Sequence, residues 1–393
     1  MEILQLVNRP VRWYLELPSQ RKLLFIIIVS ILIQGSLIAI DNWAFQSIDG
    51  YQRSPDIPIF RHRAETILKG GLLYRDVHTE TPPVVNYVMT IPVLFGGSYL
   101  AFQIFFSMCN IAVSMLLFYT FNNRTEKGAS LLALFYVIHP FSWFHSTLDC
   151  QDEPLILLLF IIPIYLLLKS KYLESATAAG IGIWAKMWPL LLCPLYLIKG
   201  KKWMSRFTAI LHILFLSIII IGPFLLLAPE ESTWFLRFYF LGVEGEGSGG
   251  ISLWHFLDQR GMMPPSMLLG STVMVLVLGL YLWADKEDWG VWKTITVVMT
   301  VFFVLYPKIH SGYYLIPLVL LMPYMLKDAR YAILSFLMFT TVFTAFKFSD
   351  GTIHPDGVLI LVPICCALIT NMLLLLALKD LVIGTVEPFT PME

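Results

Sequence analysis

Charge is scarce in this chain, and the scarcity indicates the class of protein. Only 27 basic and 27 acidic residues occur among 393, while 57% of the residues are hydrophobic. The mean hydropathy is +0.73. A composition this apolar is typical of integral membrane proteins. Because the formal net charge is zero, nothing favours a nucleic-acid partner.

Cysteine spacing and a cleavable leader are also lacking. The five cysteines lie mostly inside apolar runs, where a thiol packs as a small hydrophobic side chain. Their spacing suits neither a disulfide framework nor a metal site, so no metal ligand and no cofactor is assigned, and a divalent metal requirement stays open. The first apolar run starts only at Leu23, is long and has no small-residue cleavage site. It therefore predicts a membrane anchor rather than a signal peptide.

Long uncharged apolar runs are abundant in the sequence. A helix needs about 20 apolar residues to span a bilayer. Clear runs of this kind occupy residues 23–40, 99–121, 206–229, 266–284 and 357–378. Together with shorter runs they predict an all-α integral membrane protein with about 12 transmembrane segments.

Short loops rich in lysine and arginine predict the orientation of these segments. The positive-inside rule places such loops in the cytosol. The segment 1–22 and the tail 379–393 are then cytosolic, a single multi-span membrane domain covers 23–378, and the long loops 41–98 and 230–265 face outward. The basic loops used here are 122–128, 169–175 and 199–206, and those around Lys286, Lys327 and Lys379.

One segment does not fit a simple alternation of faces. Residues 175–198 have basic loops on both sides, yet the segment is too short for two crossings of about 20 residues each. Pro189 breaks helices because it lacks an amide donor, which predicts a broken pair of short segments, 175–187 and 189–198. Irregular backbone at membrane depth is tolerated where protein or a water-filled cavity covers it, so we expect this hinge to line a cavity. The alternative is a single tilted helix with a snorkelling Lys186.

Polar residues that are capable of chemistry gather on the predicted outer side. Ionisable groups at membrane depth are costly and usually mark function. A transporter normally concentrates them near the midplane at a repeat interface, whereas gathering at one surface favours an enzyme that acts on a lipid-linked substrate. These residues are Asp56, Asp76 and Glu80 in the first loop, Gln151, Asp152 and Glu153 in the second, then Lys186, Trp254, His255, Lys308 and His310.

Three stretches, taken in order, resemble the GT-C glycosyltransferases, which are multi-span enzymes that use polyprenyl-phosphate sugars. The first outer loop carries Asp56, an aromatic residue at Phe60 and a Gly-Tyr-Asp pattern before Pro82-Pro83. Residues 185–194 resemble the Lys-x-x-Pro region of the polyprenyl-phosphate-mannose-dependent members, and the chain also resembles GPI mannosyltransferase I. Residues 306–314 resemble their Lys-Val-His-x-Gln-Tyr motif. The chain departs from the pattern at Gly312, where many relatives carry Gln.

The resemblance, which covers residues 20–330, implies a GT-C fold with a helical first outer loop. It implies a polyprenyl- or dolichyl-phosphate sugar donor, most simply of mannose, and a glycan or glycolipid acceptor at the outer or luminal face of the lipid bilayer. It implies Asp56 as the general base of an inverting transfer. Lys308 and His310, with Arg61 and Lys186 as helpers, are then the candidates for binding the donor phosphate. The candidates for binding sugar or acceptor are Asp76, Glu80, Gln151, Asp152, Glu153, Trp254 and His255.

Simpler interpretations stand beside these roles. Asp56 also suits a helix N-cap before Pro58, Asp76 and Glu80 suit a solvated loop, and Trp254 suits a membrane interface. The glycine-rich stretch Gly242–Gly250 lacks the ending of a P-loop and is interpreted as a mobile segment that orders over substrate. At the level of the whole protein, the alternatives are a flippase or transporter of lipid-linked sugars, a surface-glycan polymerase or ligase, and a non-catalytic scaffold.

Overall fold

A computed structural model describes residues 10–48, 53–200, 203–241, 248–349 and 361–384 of the chain. Within these ranges the protein is almost entirely helical, as the composition predicts. Six of the described helices are long and apolar enough to cross a membrane, and one bent pair makes a seventh candidate span. The six long helices are Ser19–Trp43, Tyr99–Phe121, Trp203–Leu227, Ser266–Lys286, Arg330–Ser349 and Leu361–Ile383.

Shorter elements fill the intervals between the long helices, and residues 10–16 are helical as well. The first long loop is helical, as expected. The shorter α-helices are Asp56–Leu68, Pro83–Val88, Thr90–Leu94, Glu126–Ile138, Pro140–Trp143, Glu153–Leu168, Tyr172–Ile183, Cys193–Lys199, Pro229–Leu241, Leu253–Asp258, Val291–Leu305 and Leu315–Leu321. The remaining elements are 3-10 turns at Phe45–Ser47, Trp188–Leu192, Ser311–Tyr314 and Met322–Leu326, a π-helical turn at Phe144–Leu148, and two strands, Gly249–Gly250 and Lys308–Ile309.

The five clear apolar runs all form long helices, with ends that differ from the prediction by a few residues. The last helix extends to Ile383 instead of ending at 378, and residues 357–360 and 385–393 lie outside the described part of the chain. The count of about 12 segments is not confirmed. Apolar helices such as Glu153–Leu168 are only about 24 Å long at 1.5 Å per residue, which is less than the ~30 Å hydrocarbon core.

The interruption predicted around Lys186–Pro189 is present. The helix Tyr172–Ile183 ends three residues before Lys186, and the chain resumes as the 3-10 turn Trp188–Leu192, which has Pro189 in its first turn. Helix Cys193–Lys199 follows. Proline has no amide to continue the ladder of hydrogen bonds, which explains why the break falls here. The hinge comprises residues 184–187.

A second interruption was not predicted. Helices Glu126–Ile138 and Pro140–Leu148 are bent by 54° relative to each other, and the second of them ends in the π-helical turn Phe144–Leu148. Pro140 begins the second helix, and His139 caps it by accepting a hydrogen bond from the Phe141 amide. The bend and the wide turn carry the chain sideways into the loop that holds Gln151.

The basic loops meet at one end of the helices. Lys22 at the start of the first long helix pairs with Glu126 at 2.6 Å. Lys199 pairs with Asp288 at 3.4 Å, and its carbonyl accepts a hydrogen bond from the Tyr172 hydroxyl at 2.8 Å. Each of these contacts joins two of the segments that the charge pattern predicts on the cytosolic side, and the orientation of the protein stays a prediction.

Candidate active site

Asp56 lies at the opposite end, in the first turn of helix Asp56–Leu68. The N-cap position is occupied by Pro55, so the capping role considered for Asp56 is not the one observed. The Asp56 amide donates to the Ser54 hydroxyl at 3.4 Å, and the Gln151 side chain donates to the same oxygen at 3.1 Å. Gln151 also hydrogen-bonds to the Asp56 carboxylate. The first loop and the 149–153 loop are therefore joined at this aspartate.

The surroundings of Asp56 increase its proton affinity. Burial, together with the charges of Asp152 and Asp149, raises the pKa of Asp56, although the hydrogen bond from Gln151 and the charge of Lys186 act in the opposite direction. A raised pKa makes the ionised carboxylate a stronger base. A partly buried aspartate with like charges nearby therefore has the electrostatics that a general base requires.

Lys186 is turned into the protein, where it contacts two carboxylates. Its ammonium lies 2.9 Å from Asp152 Oδ1 and 3.2 Å from Glu153 Oε1, and 4.5 Å from the centre of the Tyr313 ring. The Lys186 side chain is only 14% exposed, so the snorkelling alternative does not describe it. These four residues, named here the Lys186 cluster, join the hinge to the loops around 152 and 313.

Glu153 packs against a residue that has no side chain. A Cβ atom added at Gly312 would lie 2.6 Å from Glu153 Cδ, so the glutamate fills the space that a side chain would need. Glu153 is buried, and its second carboxylate oxygen finds no hydrogen-bond partner among the described residues. The departure at Gly312 noted in the sequence therefore has a steric reason in this chain.

Lys308 and His310 are brought close to the Lys186 cluster. Burial, followed by the charges of Lys186, Lys308 and His255, lowers the pKa of His310 to about 4. The His310 side chain itself is exposed to solvent, so the imidazole lies at the open edge of this cluster. At neutral pH this imidazole is uncharged and offers a hydrogen bond rather than a positive charge.

A short parallel strand pair places His255 beside this loop. Gly249 pairs with Lys308 and Gly250 with Ile309, and the Ser252 hydroxyl donates to the Pro307 carbonyl at 2.5 Å. Gly249 and Gly250 thus belong to a strand pair, and the mobility of the stretch Gly242–Gly250 stays a prediction. Residues 242–247 lie outside the described part of the chain.

Ser248 lies between His255 and Asp258, and Trp254 precedes His255 in the same segment. His255 lies 3.3 Å from the Ser248 hydroxyl through Nδ1, and that hydroxyl donates to Asp258 at 2.6 Å. The indole N–H of Trp254 is buried and has no hydrogen-bond partner among the residues that the structure describes. The segment therefore presents a structured imidazole next to Lys308 and His310.

Three predicted site residues have partners away from Asp56. Arg61 pairs with Glu65 at 3.5 Å on the exposed side of its helix. Asp76 accepts hydrogen bonds from the Leu72 amide and from Arg75, which lower its pKa to about 2. Asp76 thereby closes a tight turn.

Glu80 is the third of these residues. Its carboxylate accepts a hydrogen bond from Arg63 at 3.1 Å, and Arg63 is buried while Glu80 is exposed. The two residues fasten the end of the first loop to helix Asp56–Leu68. Of the three first-loop acids, Asp56 is the one that the structure joins to the 149–153 loop.

An apolar groove opens beside the hinge. It has a volume of about 420 Å³. The Val84 amide on its wall donates to the Trp184 carbonyl at 2.8 Å, two residues before Lys186. An apolar groove adjoining a polar cluster suits a ligand with a hydrophobic tail and a polar head. Its lining residues are Pro83, Val84, Tyr87, Val88, Ile91, Ile220 and Phe224.

Reasoning from sequence missed the residues that support the site. Ser54 bridges Asp56 and Gln151, and His145 holds Asp149 at 3.2 Å. Ser54 gave no signal because serine before Pro55 is common in loops. His145 lay inside an apparently apolar span, and only the bend at Pro140 would have revealed that it approaches the loop.

Residues 81–307 match the family model for glycosyltransferase family 87. This match covers more than half of the chain. The protein belongs to glycosyltransferase family 87. It is a membrane glycosyltransferase of GT-C type, and no curated protein matches the chain.

The region matched to glycosyltransferase family 87 contains most, but not all, of the site. Gln151, Asp152, Glu153 and Lys186 fall inside it, whereas Asp56 precedes it and the stretch from Lys308 onward follows it. Among the described residues there is no group of three or more His, Cys, Asp or Glu side chains arranged to hold a metal ion.

Proposed function

We propose that this family 87 enzyme transfers a hexose, mannose being the first choice, from a polyprenyl- or dolichyl-phosphate to a lipid-linked or glycan acceptor. The observation that carries the proposal is the convergence of four separate chain segments. Asp56, the 151–153 loop, Lys186 and His310 interact with one another although they are far apart in sequence. A base, a set of hydrogen-bonding carboxylates and a donor-phosphate side are thereby assembled at one end of the helices.

The transfer is a displacement at the anomeric carbon. Asp56 accepts the proton of the acceptor hydroxyl while that oxygen forms a bond to the anomeric carbon from the face opposite the phosphate. The bond between the anomeric carbon and the phosphate oxygen breaks, and its electron pair leaves with the polyprenyl phosphate. The configuration inverts. A positioned base of this kind contributes about 10²–10⁴-fold to the rate.

The leaving phosphate needs donors that are already in place. We assign this role to Lys308 and His310, assisted by His255, because preorganised donors near developing charge are usually the largest catalytic contribution. Lys186 is paired with Asp152 and Glu153, so we assign it to holding those carboxylates for sugar hydroxyls rather than to the phosphate. Arg61 has no role in this proposal.

The lipid chain of the substrate is expected to lie in the apolar groove beside the hinge. The groove is lined by apolar side chains, and the Val84 amide on its wall donates to the carbonyl of Trp184, which stands two residues before Lys186 in the chain. A substrate whose tail occupied the groove would have its sugar on the side of the Lys186 cluster and its phosphate toward Lys308. This arrangement also fits a flippase, which is the second candidate, because both would bind the same lipid.

A transfer assay tests the proposal. Purified enzyme in nanodiscs is given polyprenyl-phosphate-[³H]mannose and extracted membrane glycolipids, and the appearance of label in the acceptor fraction is followed. We expect Asp56→Asn to lose about 10²–10⁴-fold in rate and Arg61→Ala to stay close to the wild type. Full activity of Asp56→Asn would remove Asp56 from its role. Movement of the lipid across the bilayer without transfer of label would favour the flippase.

A further inference from the structure

Ser54 and Gln151 form a clamp around the start of helix Asp56–Leu68. The Ser54 hydroxyl oxygen accepts one hydrogen bond from the Asp56 amide at 3.4 Å and one from the Gln151 side chain at 3.1 Å. Ser54 is only 9% exposed. Gln151 is itself fixed, because its backbone amide donates to the His145 carbonyl at 2.9 Å. The Gln151 side chain therefore reaches the turn before Asp56 through the Ser54 hydroxyl, and it also hydrogen-bonds to the Asp56 carboxylate.

We propose that Ser54 and Gln151 are positioning residues that aim the Asp56 carboxylate at the acceptor hydroxyl. The inference rests on the proposed role of Asp56 as the base. It gives Gln151 a positioning role beside the sugar-binding role predicted from the sequence, because its side-chain N–H groups donate to Ser54 and Asp56. The chain contains no other described contact that fixes the Asp56 carboxylate from outside its own loop.

The charges around Asp56 determine what the clamp does to its proton affinity. Asp149 and Asp152 face it and oppose ionisation, while Lys186 favours it. These groups have contacts of their own, since His145 lies 3.2 Å from Asp149 and Lys186 contacts both Asp152 and Glu153. The hydrogen bond from Gln151 stabilises the ionised form of Asp56.

The pH dependence of kcat/KM for mannose transfer separates positioning from simple structural support. Gln151→Ala removes the hydrogen bond, so the pKa of Asp56 rises and the acid limb of the profile moves to higher pH. The rate at the plateau is expected to fall roughly tenfold or more, which is the usual cost of losing a hydrogen bond to a charged group. Asp149→Asn removes a like charge, and it moves the acid limb to lower pH.

Ser54 is tested by a conservative pair. Ser54→Thr keeps the hydroxyl and is expected to retain the wild-type acid limb, whereas Ser54→Ala loses the bridge and moves it in the same direction as Gln151→Ala. Gln103→Ala is the matched control, because Gln103 is a buried glutamine that donates to Asp41 at 2.8 Å. This variant tests the general cost of losing a buried glutamine and leaves the acid limb in place.

The outcomes distinguish the role of the clamp from the role of Asp56 as the base. An inactive Asp56→Asn together with a Gln151→Ala profile that is lowered but not displaced would overturn the clamp and leave the base intact. Retained turnover in Asp56→Asn would overturn the base and the clamp with it. If Gln151→Ala does not fold, as judged by size-exclusion chromatography and thermal unfolding, the Ser54 pair decides the question.

Discussion

Glycine is required at position 312 because the Glu153 side chain fills the space beside it. Its Cα hydrogen faces the carboxylate of Glu153, which is buried and held by Lys186 at 3.2 Å. Any side chain at this position must displace the glutamate. Because the displaced group is charged and buried, its movement also changes the surroundings of Lys186 and Tyr313.

Gly312→Ala is expected to reduce activity more than stability. The new methyl group pushes Glu153 from Lys186, and overpacking of this kind costs about 1–3 kcal/mol. Thermal unfolding and the mannose transfer assay measure the two effects. Gly312→Ala combined with Glu153→Asp should recover part of the activity, since the shorter acid leaves room for the methyl group. Gly270→Ala, at a helical glycine with nothing within 4 Å, is the control, and additive losses in the double variant would contradict the steric explanation.

The raised pKa of Asp56 predicts the acid side of the pH–rate profile. A base works in its ionised form, so activity is present above the raised pKa and is lost as the pH falls through it. Burial is the main cause of the shift, and we therefore expect the decline to begin above the ordinary aspartate range. Measurement of kcat/KM from acid to neutral pH checks this, and an acid limb at or below the ordinary range would contradict it.

The sequence allowed individual site residues to be proposed but not their partners. Asp56, Lys186 and His310 could be proposed from the sequence, because charged residues are scarce in this chain and each of the three stands in a recognisable pattern. The pairing of Lys186 with Asp152 and Glu153 required the geometry of the hinge, and it changed the role proposed for that lysine. In the sequence, Asp56 and Asp76 are both acidic loop residues and cannot be told apart. The hydrogen bond from the Leu72 amide to Asp76 shows that Asp76 is the one that closes a turn.

At the level of elements, the two-residue strand pair depends on one glycine. Gly250 has a φ of +67°, and a Cβ atom there would collide with the Ile309 carbonyl. The neighbouring Gly249 is different, because its Cβ atom would meet Lys308 Cγ only at 3.8 Å. The pairing that places His255 beside Lys308 therefore tolerates a side chain at one of these glycines and excludes it at the other.

Gly250→Ala is expected to open the strand pair, whereas Gly249→Ala is not. The backbone strain alone is about 1–3 kcal/mol, and the collision adds to it. Because Lys308 and His310 are the proposed phosphate ligands, the KM for the donor should rise in Gly250→Ala with a smaller change for the acceptor. Equal behaviour of the two alanine variants would show that the pairing does not support donor binding.

Elements differed in how well the sequence predicted them. Long apolar helices followed from hydropathy, because a run of about 20 apolar residues has few other stable arrangements. The break at Pro189 followed from proline and the basic loops on both sides. The bend at Pro140 could not be predicted in this way. The residues around it are apolar, and the loops beside it fit the predicted alternation of cytosolic and outer loops. The strand pair was invisible because two-residue strands leave no period in the sequence.

At the level of the whole molecule, the two ends of the helices carry different sets of residues. Basic loops meet at one end through pairs such as Lys22 with Glu126, while Asp56, Lys186 and His310 lie at the other. The positive-inside rule predicts that the first end is cytosolic, and the proposed chemistry would then lie on the outer or luminal face.

This orientation predicts which glycosylation sequons are used when the protein is made in a eukaryotic host. Asn123-Arg-Thr125 lies at the basic end and should stay unmodified. Glu231 is exposed in the first turn of helix Pro229–Leu241, within the segment predicted to face outward. Glu231→Asn completes a sequon with Thr233 there, and it should acquire a glycan. A mobility shift that is reversed by an endoglycosidase reads out both sites, and a glycan at Asn123 would invert the topology.

Two carboxylates share one ammonium in the Lys186 cluster, so this part of the site carries an excess of negative charge. These carboxylates would repel a phosphate, whereas neutral sugar hydroxyls can donate hydrogen bonds to the same oxygens. Lys308, three residues past the end of helix Val291–Leu305, has the opposite preference. The proposed lipid-phosphate sugar would therefore bind in one orientation, with its sugar toward the Lys186 cluster and its phosphate toward Lys308, before the transfer begins.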